Sequence, residues 1–263
     1  MFNPRRANAR ESEATVPKTA LLVRSYTPND GEVADRAERA LKVAQAASTF
    51  DSIALVAFLV PTDHDCGKTA QAIRNRLYDA GANNKTIVIE AGGHHSCGAL
   101  NEALRDLNAK YVERVVIMSG KAQGYLTGAT LGGIDEAFVK GAKIVGVAVD
   151  EHVELVHEGR VSNTFCAWDL NALLDVGGFD SDVGVEEIAA ALKIVHANEH
   201  KGPCIAVLDA PGVLDVLKVA SAKARHAEVM ATKTSRQQSE AARLGYNLKF
   251  LKTGIMPGYP KAV

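Results

Sequence analysis

A Gly-Lys-Thr tripeptide at residues 67–69 stands between an apolar run and an amphipathic run, where a phosphate-binding loop would lie. Such a loop has the pattern Gly-x-x-x-x-Gly-Lys-Ser/Thr, because its backbone N–H groups and its lysine surround the phosphates of a nucleotide. Here Thr62 stands at the first glycine position, and Asp63 and Asp65 inside the loop would repel a triphosphate. The sequence therefore favours a turn at Gly67 that leads into a helix, and a P-loop ATPase stays open as an alternative.

Histidine and cysteine side chains follow two successive apolar runs. They are His64 and Cys66 after one run and His94, His95 and Cys97 after the next. Imidazole nitrogen and thiolate sulfur are the ligands that zinc prefers. The His-x-Cys spacing is not a usual zinc spacing, however, so we favour polar loop residues that line a cleft, and we assign no metal ligand.

The elements that must position these residues alternate along the chain up to residue 149. Apolar runs rich in Val and Ile, which predict strands covered on both faces, alternate with stretches of helical spacing. This order predicts an α/β fold with a predominantly parallel sheet, flanked by helices and joined by right-handed crossovers. Ligands in such sheets bind beyond the carboxyl ends of the strands. The predicted strands are 19–26, 52–61, 85–90, 114–119 and 143–149, and the predicted helices are 31–49, 67–81, 96–110 and 131–142.

The pattern changes after residue 150. We expect five further elements there. They are a short hairpin or edge segment at 153–163, a short helix that runs into a double-glycine turn at 168–180, a longer helix at 184–200, a further strand at 204–211 and one or two C-terminal helices at 213–245. The expected domains are an N-terminal arm at 1–17, one α/β domain at 18–211 and a C-terminal helical extension at 212–263.

The composition is that of an ordinary globular chain of 263 residues, with 47% apolar and 23% charged residues. Thirty basic residues against 31 acidic ones give a net charge of −1, so we expect no nucleic acid as a partner. The longest uncharged apolar stretch, Ile53–Pro61, is far shorter than the roughly 20 residues of a membrane-spanning helix. The sequence therefore predicts no transmembrane segment.

The cysteines and the first residues bear on where the protein works. None of the four cysteines forms a Cys-x-x-Cys pair, so they are expected to be reduced thiols. Residues 1–17 contain no apolar segment of the kind a signal peptide needs. We therefore expect a cytoplasmic location. The hypothesis that the polar arm is held by a partner subunit makes a homo-oligomer an expectation as well.

Six short segments stand at the ends of the predicted elements in a definite order. Each is a weak signal alone, and their order and spacing together are much less expected by chance. They are SY at 25–26, TDHDCGKTA at 62–70, AGGHHSCGALNEAL at 91–104, VVIMSGKA at 115–122, NTFCAWDLNALLDVGGFD at 163–180 and GVEEIAAAL at 184–192.

In this order the segments resemble family-2-like glycosyltransferases of the GT-A fold, a group within the nucleotide-diphospho-sugar transferase superfamily. The resemblance runs from about Lys18 to Pro211. It implies a GT-A-like, Rossmann-like sheet. In that family the first strand leads to a residue that contacts the nucleotide base, the place of Ser25 and Tyr26, and an acidic loop after the second strand binds the base. Asp63 is the closest match in that loop, with Asp65 beside it.

Two parts of the third segment also match the donor side of the family. Gly92 and Gly93 look like the family's Asn-x-Gly segment, and backbone N–H groups there suit a diphosphate. The sequence GALNEAL resembles the family's A-x-N-x-G-L helix, which gives Asn101. The resemblance thus implies that these three residues help to bind a nucleotide-sugar.

The later segments match the acceptor side and the catalytic base. Gly178 and Phe179 lie in a turn that is similar to the family's V-G-G-F-D acceptor-side turn. Nearby, Trp168 and Asp169 are assigned to the acceptor side, where the indole would stack on a sugar ring or instead anchor the core. The segment GVEEI falls where the family has a Glu-Asp motif. The resemblance therefore implies Glu186 and Glu187 as the catalytic base, although both would also suit a helix N-terminus.

One departure from the family concerns the metal site. The family's fourth strand ends in Asp-x-Asp, which binds a divalent ion, Mg²⁺ or Mn²⁺, that grips the diphosphate. This chain has Ser119, Gly120 and Lys121 there, so the usual metal ligands are absent and no cofactor is firmly implied. Lys121 would supply part of the positive charge instead, and Ser119 would lie beside it.

The resemblance implies a glycosyltransferase that moves a sugar from a nucleotide-diphospho-sugar to an unknown acceptor without a metal. A glutamate would deprotonate the acceptor hydroxyl, and inverting displacement would follow. The alternative is a catalytically inactive GT-A-like protein that binds a nucleotide or sugar, or acts as an assembly scaffold.

Overall fold

The computed structural model describes most of the chain up to residue 209 and a short segment near the end. The described residues are 18–25, 33–62, 67–92, 97–120, 122–148, 165–180, 186–198, 204–209, 238–239 and 242–245. The arm at 1–17, the expected hairpin at 153–163 and most of the C-terminal extension lie outside this part, so the proposed domain boundaries stay predictions.

A mixed sheet forms the centre of the fold. Within the described residues it has seven strands in the order β3-β2-β1-β4-β6-β5-β7. The pairs β1–β2, β1–β4, β2–β3 and β5–β7 are parallel, whereas β6 is antiparallel to both of its neighbours. The strands are β1 (Thr19–Arg24), β2 (Ile53–Pro61), β3 (Thr86–Ala91), β4 (Arg114–Ser119), β5 (Ile144–Ala148), β6 (Phe165–Asp169) and β7 (Ile205–Asp209).

Helices cover both faces of the sheet. They are α1 (Val33–Ser48), α2 (Lys68–Asp79), α3 (Cys97–Asn108), α4 (Gly128–Val139), α5 (Leu170–Asp175) and α6 (Glu186–Ala197), with a short 3-10 helix at Gln123–Tyr125. One apolar core joins α1, α2 and α4 to the sheet, and a second joins α3, α5 and α6 to its other side, which we call the α3 face. The predicted α/β architecture with a predominantly parallel sheet is confirmed.

Strand β6 was not expected from the sequence, and the assignment of Trp168 and Asp169 to a helix is wrong. Trp168 lies within β6, and Asp169 ends it and caps the next helix, its Oδ1 accepting a hydrogen bond from the N–H of Ala172 (3.0 Å). The strand has five residues, four of them buried, so it shows no alternation of apolar and polar positions. A short buried run directly before a helix lacks the periodicity by which a strand is distinguished from a helix in a sequence.

Helix α4 begins at Gly128, three residues before its expected start. The cause is Thr127, whose Oγ1 accepts a hydrogen bond from the N–H of Thr130 (3.1 Å) and so caps the helix there. Within the described residues, no helix combines the length and the apolar character needed to cross a bilayer.

Trp168 anchors the core on the α3 face. Its side chain is completely buried, and its ring meets that of Phe179 edge-on at a centroid distance of 5.3 Å. Such an arrangement adds about 0.5–1.5 kcal/mol to the free energy gained by burying the two rings. The indole therefore connects the middle of the sheet to the segment that follows α5.

We expect Trp168→Ala to lower the free energy of unfolding by about 3–5 kcal/mol, because a large cavity would open beneath Phe179. Urea unfolding followed by far-UV circular dichroism measures this change. The matched control is Tyr78→Ala, since Tyr78 is 73% exposed and its loss should change stability by no more than about 0.5 kcal/mol. Equal stabilities of the two variants would contradict this account of the core.

Candidate functional site

The carboxyl ends of the four parallel strands β1–β4 lie side by side at one edge of the sheet. The pairing register places Arg24 of β1 beside Leu59 of β2 and Ser119 of β4. The N–H of Ser25 donates to the carbonyl of Leu59 (2.9 Å), which continues the pairing one residue past β1. Ligands of open α/β sheets bind at such an edge, so this is the candidate site.

Five residues form the base of this site, and we call them the edge floor. They are Arg24, Ser25, Thr62, Gly92 and Ser119, of which Arg24 carries the single formal charge. The other four carry a hydroxyl group or, in Gly92, no side chain. Three of the expected nucleotide-sugar residues, Ser25, Gly92 and Ser119, belong to this floor.

Several of the expected donor-side residues follow the ends of these strands in the sequence. Tyr26, Asp63, Asp65, Gly93 and Lys121 all lie outside the described residues. Their assignment to nucleotide-sugar binding stays a prediction from the sequence.

The amide of Asn101 holds the double-glycine turn against α3. Its Nδ2 donates to the carbonyl of Phe179 (2.8 Å), and its Oδ1 accepts from the N–H of Phe179 (2.8 Å). Gly178 has φ +76°, and a Cβ there would collide with Oδ1 of Asn101. The asparagine and the glycine are therefore required together. Asn101 thus fixes the double-glycine turn by its own amide.

Asp180 joins the same turn to three other parts of the chain. Cys97 Sγ at the start of α3 donates to the carbonyl of Asp180 (2.8 Å). The Asp180 carboxylate accepts from Lys193 Nζ of α6 (3.0 Å) and from Arg243 Nη2 of the C-terminal segment (2.7 Å). The hydrogen bonds from Lys193 and Arg243 lower the pKa of Asp180 from 3.8 to about 2. No role was assigned to Asp180 from the sequence. Its position two residues after the double glycine was the signal that could have pointed to it.

Trp168 and Asp169 lie far from the edge floor. They pair with Val115 and Arg114, at the amino-terminal end of β4, because β6 runs antiparallel to its neighbours. Asp169 Oδ2 accepts a hydrogen bond from Lys143 Nζ (2.6 Å). The structure therefore does not bring these two residues to the acceptor side of the site. Trp168 instead packs against the ring of Phe179.

Glu187 lies near the carboxyl edge on the α3 face. It is the second residue of α6, and only 5% of its surface is exposed. The pKa of Cys166 is raised well above its ordinary value, first by burial and then by the negative charge of Glu187. Cys166 pairs with Ile117, two residues before Ser119. Glu186 begins the same helix, and its side chain lies outside the description.

The residues at the end of β4 do not fit a divalent cation. A hydroxyl from Ser119, a glycine and the amine of Lys121 supply no carboxylate, and Mg²⁺ and Mn²⁺ prefer carboxylate oxygens. In the described part of the chain, no group of three His, Cys, Asp or Glu side chains could hold a metal ion. Of the sequence's His and Cys loop residues, only Cys97 is described.

The Gly-Lys-Thr tripeptide forms a turn and a helix start. Gly67 has φ +81°, in the left-handed region, and α2 begins at Lys68. Thr69 is completely buried, whereas the hydroxyl of a P-loop threonine must reach a nucleotide-bound Mg²⁺. This arrangement confirms the expected turn and speaks against a phosphate loop.

No protein-family model matches the chain, and no curated protein sequence is significantly similar to it. Among solved structures it is similar to a mannosyltransferase from Pyrobaculum calidifontis in complex with GDP-Man and Mn²⁺, with a TM-score of 0.52 and 20% identity over 69% of this chain. The match covers 53% of the mannosyltransferase, about half of its length. The resemblance to nucleotide-diphospho-sugar transferases is thereby confirmed for the fold, which is GT-A-like.

Two cytidine-nucleotide enzymes are looser matches. A cytidylyltransferase from Leptospira borgpetersenii has a TM-score of 0.49 at 11% identity, over 74% of this chain and 76% of its own. A 4-diphosphocytidyl-2C-methyl-D-erythritol synthase from Anaerococcus prevotii has a TM-score of 0.48 at 10% identity, over 75% and 90% respectively. No functional conclusion follows at this level of similarity.

We expect Asn101→Ala to lower the free energy of unfolding by about 2 kcal/mol, because the N–H and the carbonyl of Phe179 would both lose their partner. Amide hydrogen exchange at residues 177–180 should become faster as well. Asn108→Ala, at the exposed end of the same helix, is the control and should change neither quantity. If amide exchange at residues 177–180 is unchanged in Asn101→Ala, the two hydrogen bonds of the Asn101 amide are not what orders the turn.

The lowered pKa of Asp180 predicts a pH dependence of stability. A carboxyl group whose pKa is lower in the folded state stabilises the protein above the unfolded-state pKa and loses that effect as the pH falls toward about 2. We therefore expect Asp180→Asn to be less stable than the unsubstituted protein by about 1 kcal/mol near neutral pH, after allowance for solvent screening.

This difference should shrink between about pH 4 and pH 2, as Asp180 is protonated. Chemical unfolding of both proteins at a series of pH values measures it, and the other carboxyl groups largely cancel in the comparison. A difference that stays constant over this range would exclude the ion pairs as its source.

Proposed function

We propose that this protein is a glycosyltransferase, which transfers a sugar from a nucleotide-diphospho-sugar to an acceptor hydroxyl without a divalent metal. One observation carries the proposal. The turn at 177–180 meets the start of α3 through the hydrogen bond from Cys97 to Asp180, and the carboxylate of Glu187 interacts with Cys166, which pairs with Ile117 two residues before Ser119 of the edge floor. The GT-A-like fold supports a nucleotide-sugar as the ligand of this edge.

The donor would lie across the carboxyl ends of β1–β4. Ser25 and the loop residues Tyr26 and Asp63 would hold the base, and Gly92 with the start of α3 would face the diphosphate. Helix α3 is 12 residues long, and its N-terminal dipole favours a negative group. The turn at 177–180, which Asn101 keeps in place, would border the acceptor.

The reaction is a displacement at the anomeric carbon of the sugar. The acceptor hydroxyl oxygen forms a bond to that carbon, the bond to the diphosphate oxygen breaks, and the nucleoside diphosphate leaves with the electron pair. The proton of the hydroxyl passes to the carboxylate of Glu186 or Glu187.

A binding protein without catalytic activity is the second candidate. The burial of Glu187 favours it, since a general base must reach the acceptor hydroxyl within hydrogen-bond distance. In that case the same edge would bind a nucleotide or sugar and release it unchanged.

Calorimetric titration with UDP and GDP, followed by measurement of nucleoside diphosphate released from UDP-glucose and GDP-mannose, tests the proposal. We expect binding and turnover in the absence of metal. Glu186→Gln or Glu187→Gln should reduce turnover by about 100-fold or more and leave nucleotide affinity unchanged, because a general base is lost while the donor site is intact.

Glu102→Gln is the matched control, because Glu102 is exposed on α3, and it should retain full turnover. Full turnover in both of the other variants would reject the glutamates as bases. Nucleotide binding without turnover in the unsubstituted protein would favour the binding protein. No binding of either nucleotide would reject a nucleotide site at this edge.

A further inference from the structure

Strand β3 lies at one end of the sheet, and among the described residues it pairs with β2 alone. The carbonyls of Lys85 and Ala91 accept hydrogen bonds from N–H groups of β2 and of the residue after it (2.8 and 3.1 Å). Backbone groups alternate between the two sides of a strand, so those of Thr86, Val88 and Glu90 point away from β2. We call this the outer side of β3.

The sequence of β3 lacks the features that usually protect an edge strand. Such strands are blunted by proline, lysine or a bulge, whereas Thr86–Ala91 reads TIVIEA and pairs with β2 in unbroken register. Its single charge, on Glu90, is held by an ion pair with Arg74 of α2. The residues Thr86, Ile87 and Val88 are only half-buried. An apolar edge of this kind favours pairing with a further strand.

A groove runs between α2 and the outer side of β3. Its volume is about 520 Å³, and its lining includes Leu77 and Tyr78 of α2 together with Thr86, Ile87 and Val88 of β3. Most of this lining is apolar, and the ring of Tyr78 is largely exposed. A strand that extends the sheet beyond β3 would cover these apolar side chains and also pair with the outward backbone groups.

The outward groups of β3 match those of a second, antiparallel copy of the same strand. A two-fold axis at Val88 places this residue opposite its own copy, and the two exchange a pair of hydrogen bonds. Thr86 then lies opposite Glu90 of the second copy, and each Glu90 N–H donates to a Thr86 carbonyl. On the other face of the sheet, Ile87 lies opposite Ile89. The strand is therefore complementary to itself.

The side chains of α2 are complementary under the same two-fold axis. Arg74 pairs with Glu90 near the end of β3, whereas Tyr78 lines the groove beside Thr86 at its start. Because Thr86 would lie opposite Glu90 of the second copy, Arg74 of that copy would reach the level of Tyr78. A guanidinium beside an aromatic ring is a favourable pair, and the axis forms it twice. This match favours a second copy over an unrelated peptide.

We propose that two copies of this protein associate through the outer sides of their β3 strands, antiparallel about a two-fold axis at Val88, so that the two sheets become one. Strand β3 ends at the candidate edge, so the two candidate sites would lie at opposite edges of the joined sheet. The proposal uses no residue of the nucleotide site, and a failure of nucleotide binding would leave it unaffected.

Sedimentation equilibrium of the full chain, from low to high micromolar concentration, tests this proposal, and we expect a mass that rises to twice that of one chain. Val88→Pro removes the central N–H donor and leaves the pairing with β2 intact, since an edge strand accepts proline where its N–H faces outward. It should weaken association by about 100-fold, because two central hydrogen bonds are lost. Val88→Ala keeps the donor and should weaken association by less than about 10-fold.

Tyr78→Ala decides the question if Val88→Pro fails to fold, because Tyr78 is an exposed residue. We expect it to weaken association by about 5-fold to 30-fold, the effect of losing two cation–π pairs. Val139→Ala trims an exposed side chain on α4 and should leave association unchanged. The unfolding measurement on Tyr78→Ala then requires concentrations at which the protein is a monomer.

A full chain that stays monomeric at the highest concentration would overturn the proposal. So would a dimer whose dissociation constant is the same in a folded Val88→Pro, or in Tyr78→Ala. Amide exchange at Val88 and Glu90 separates the possible occupants of the groove. Protection that increases with protein concentration supports a second copy, whereas protection in the monomer would show that another segment of the same chain covers β3 and would overturn the proposal.

Discussion

The two hydrogen bonds between the Asn101 amide and the backbone of Phe179 connect parts of the chain that are 78 residues apart. The N–H and the carbonyl of Phe179 are both satisfied by this one side chain, which carries no net charge. The left-handed backbone at Gly178 brings that position close enough to α3, and only a glycine leaves space there for the amide. The path of the chain from α5 to α6 depends on this contact.

The antiparallel strand β6 explains why such a clamp is needed. Because β6 runs against its neighbours, it ends at the amino edge of the sheet, and α5 begins there. The chain must then return to the carboxyl edge before α6 can start beside Cys166. Phe179 fills the space over Trp168 on this return, and Asp180 follows with ion pairs to Lys193 and Arg243. The packing of Phe179 on Trp168 and the ion pairs of Asp180 thus fix the position of the turn.

The sequence predicted the parts of the fold that depend on local patterns. Six of the seven described strands follow from apolar runs, because strands covered on both faces must be apolar along their length. Strand β6 did not follow, since five buried residues before a capping aspartate carry no period. The double-glycine turn was recognisable from its glycines. Asn101 was singled out only for donor binding, and its contact with the turn was not predicted, because no local signal marks a contact across 78 positions.

The residues at the end of β4 bear on whether the candidate edge could hold a divalent ion. A divalent ion would need carboxylate ligands, and the serine, glycine and lysine at positions 119–121 do not supply them. The base of the proposed reaction would lie on α6, and the turn at 177–180 is the described segment nearest before α6 in the chain.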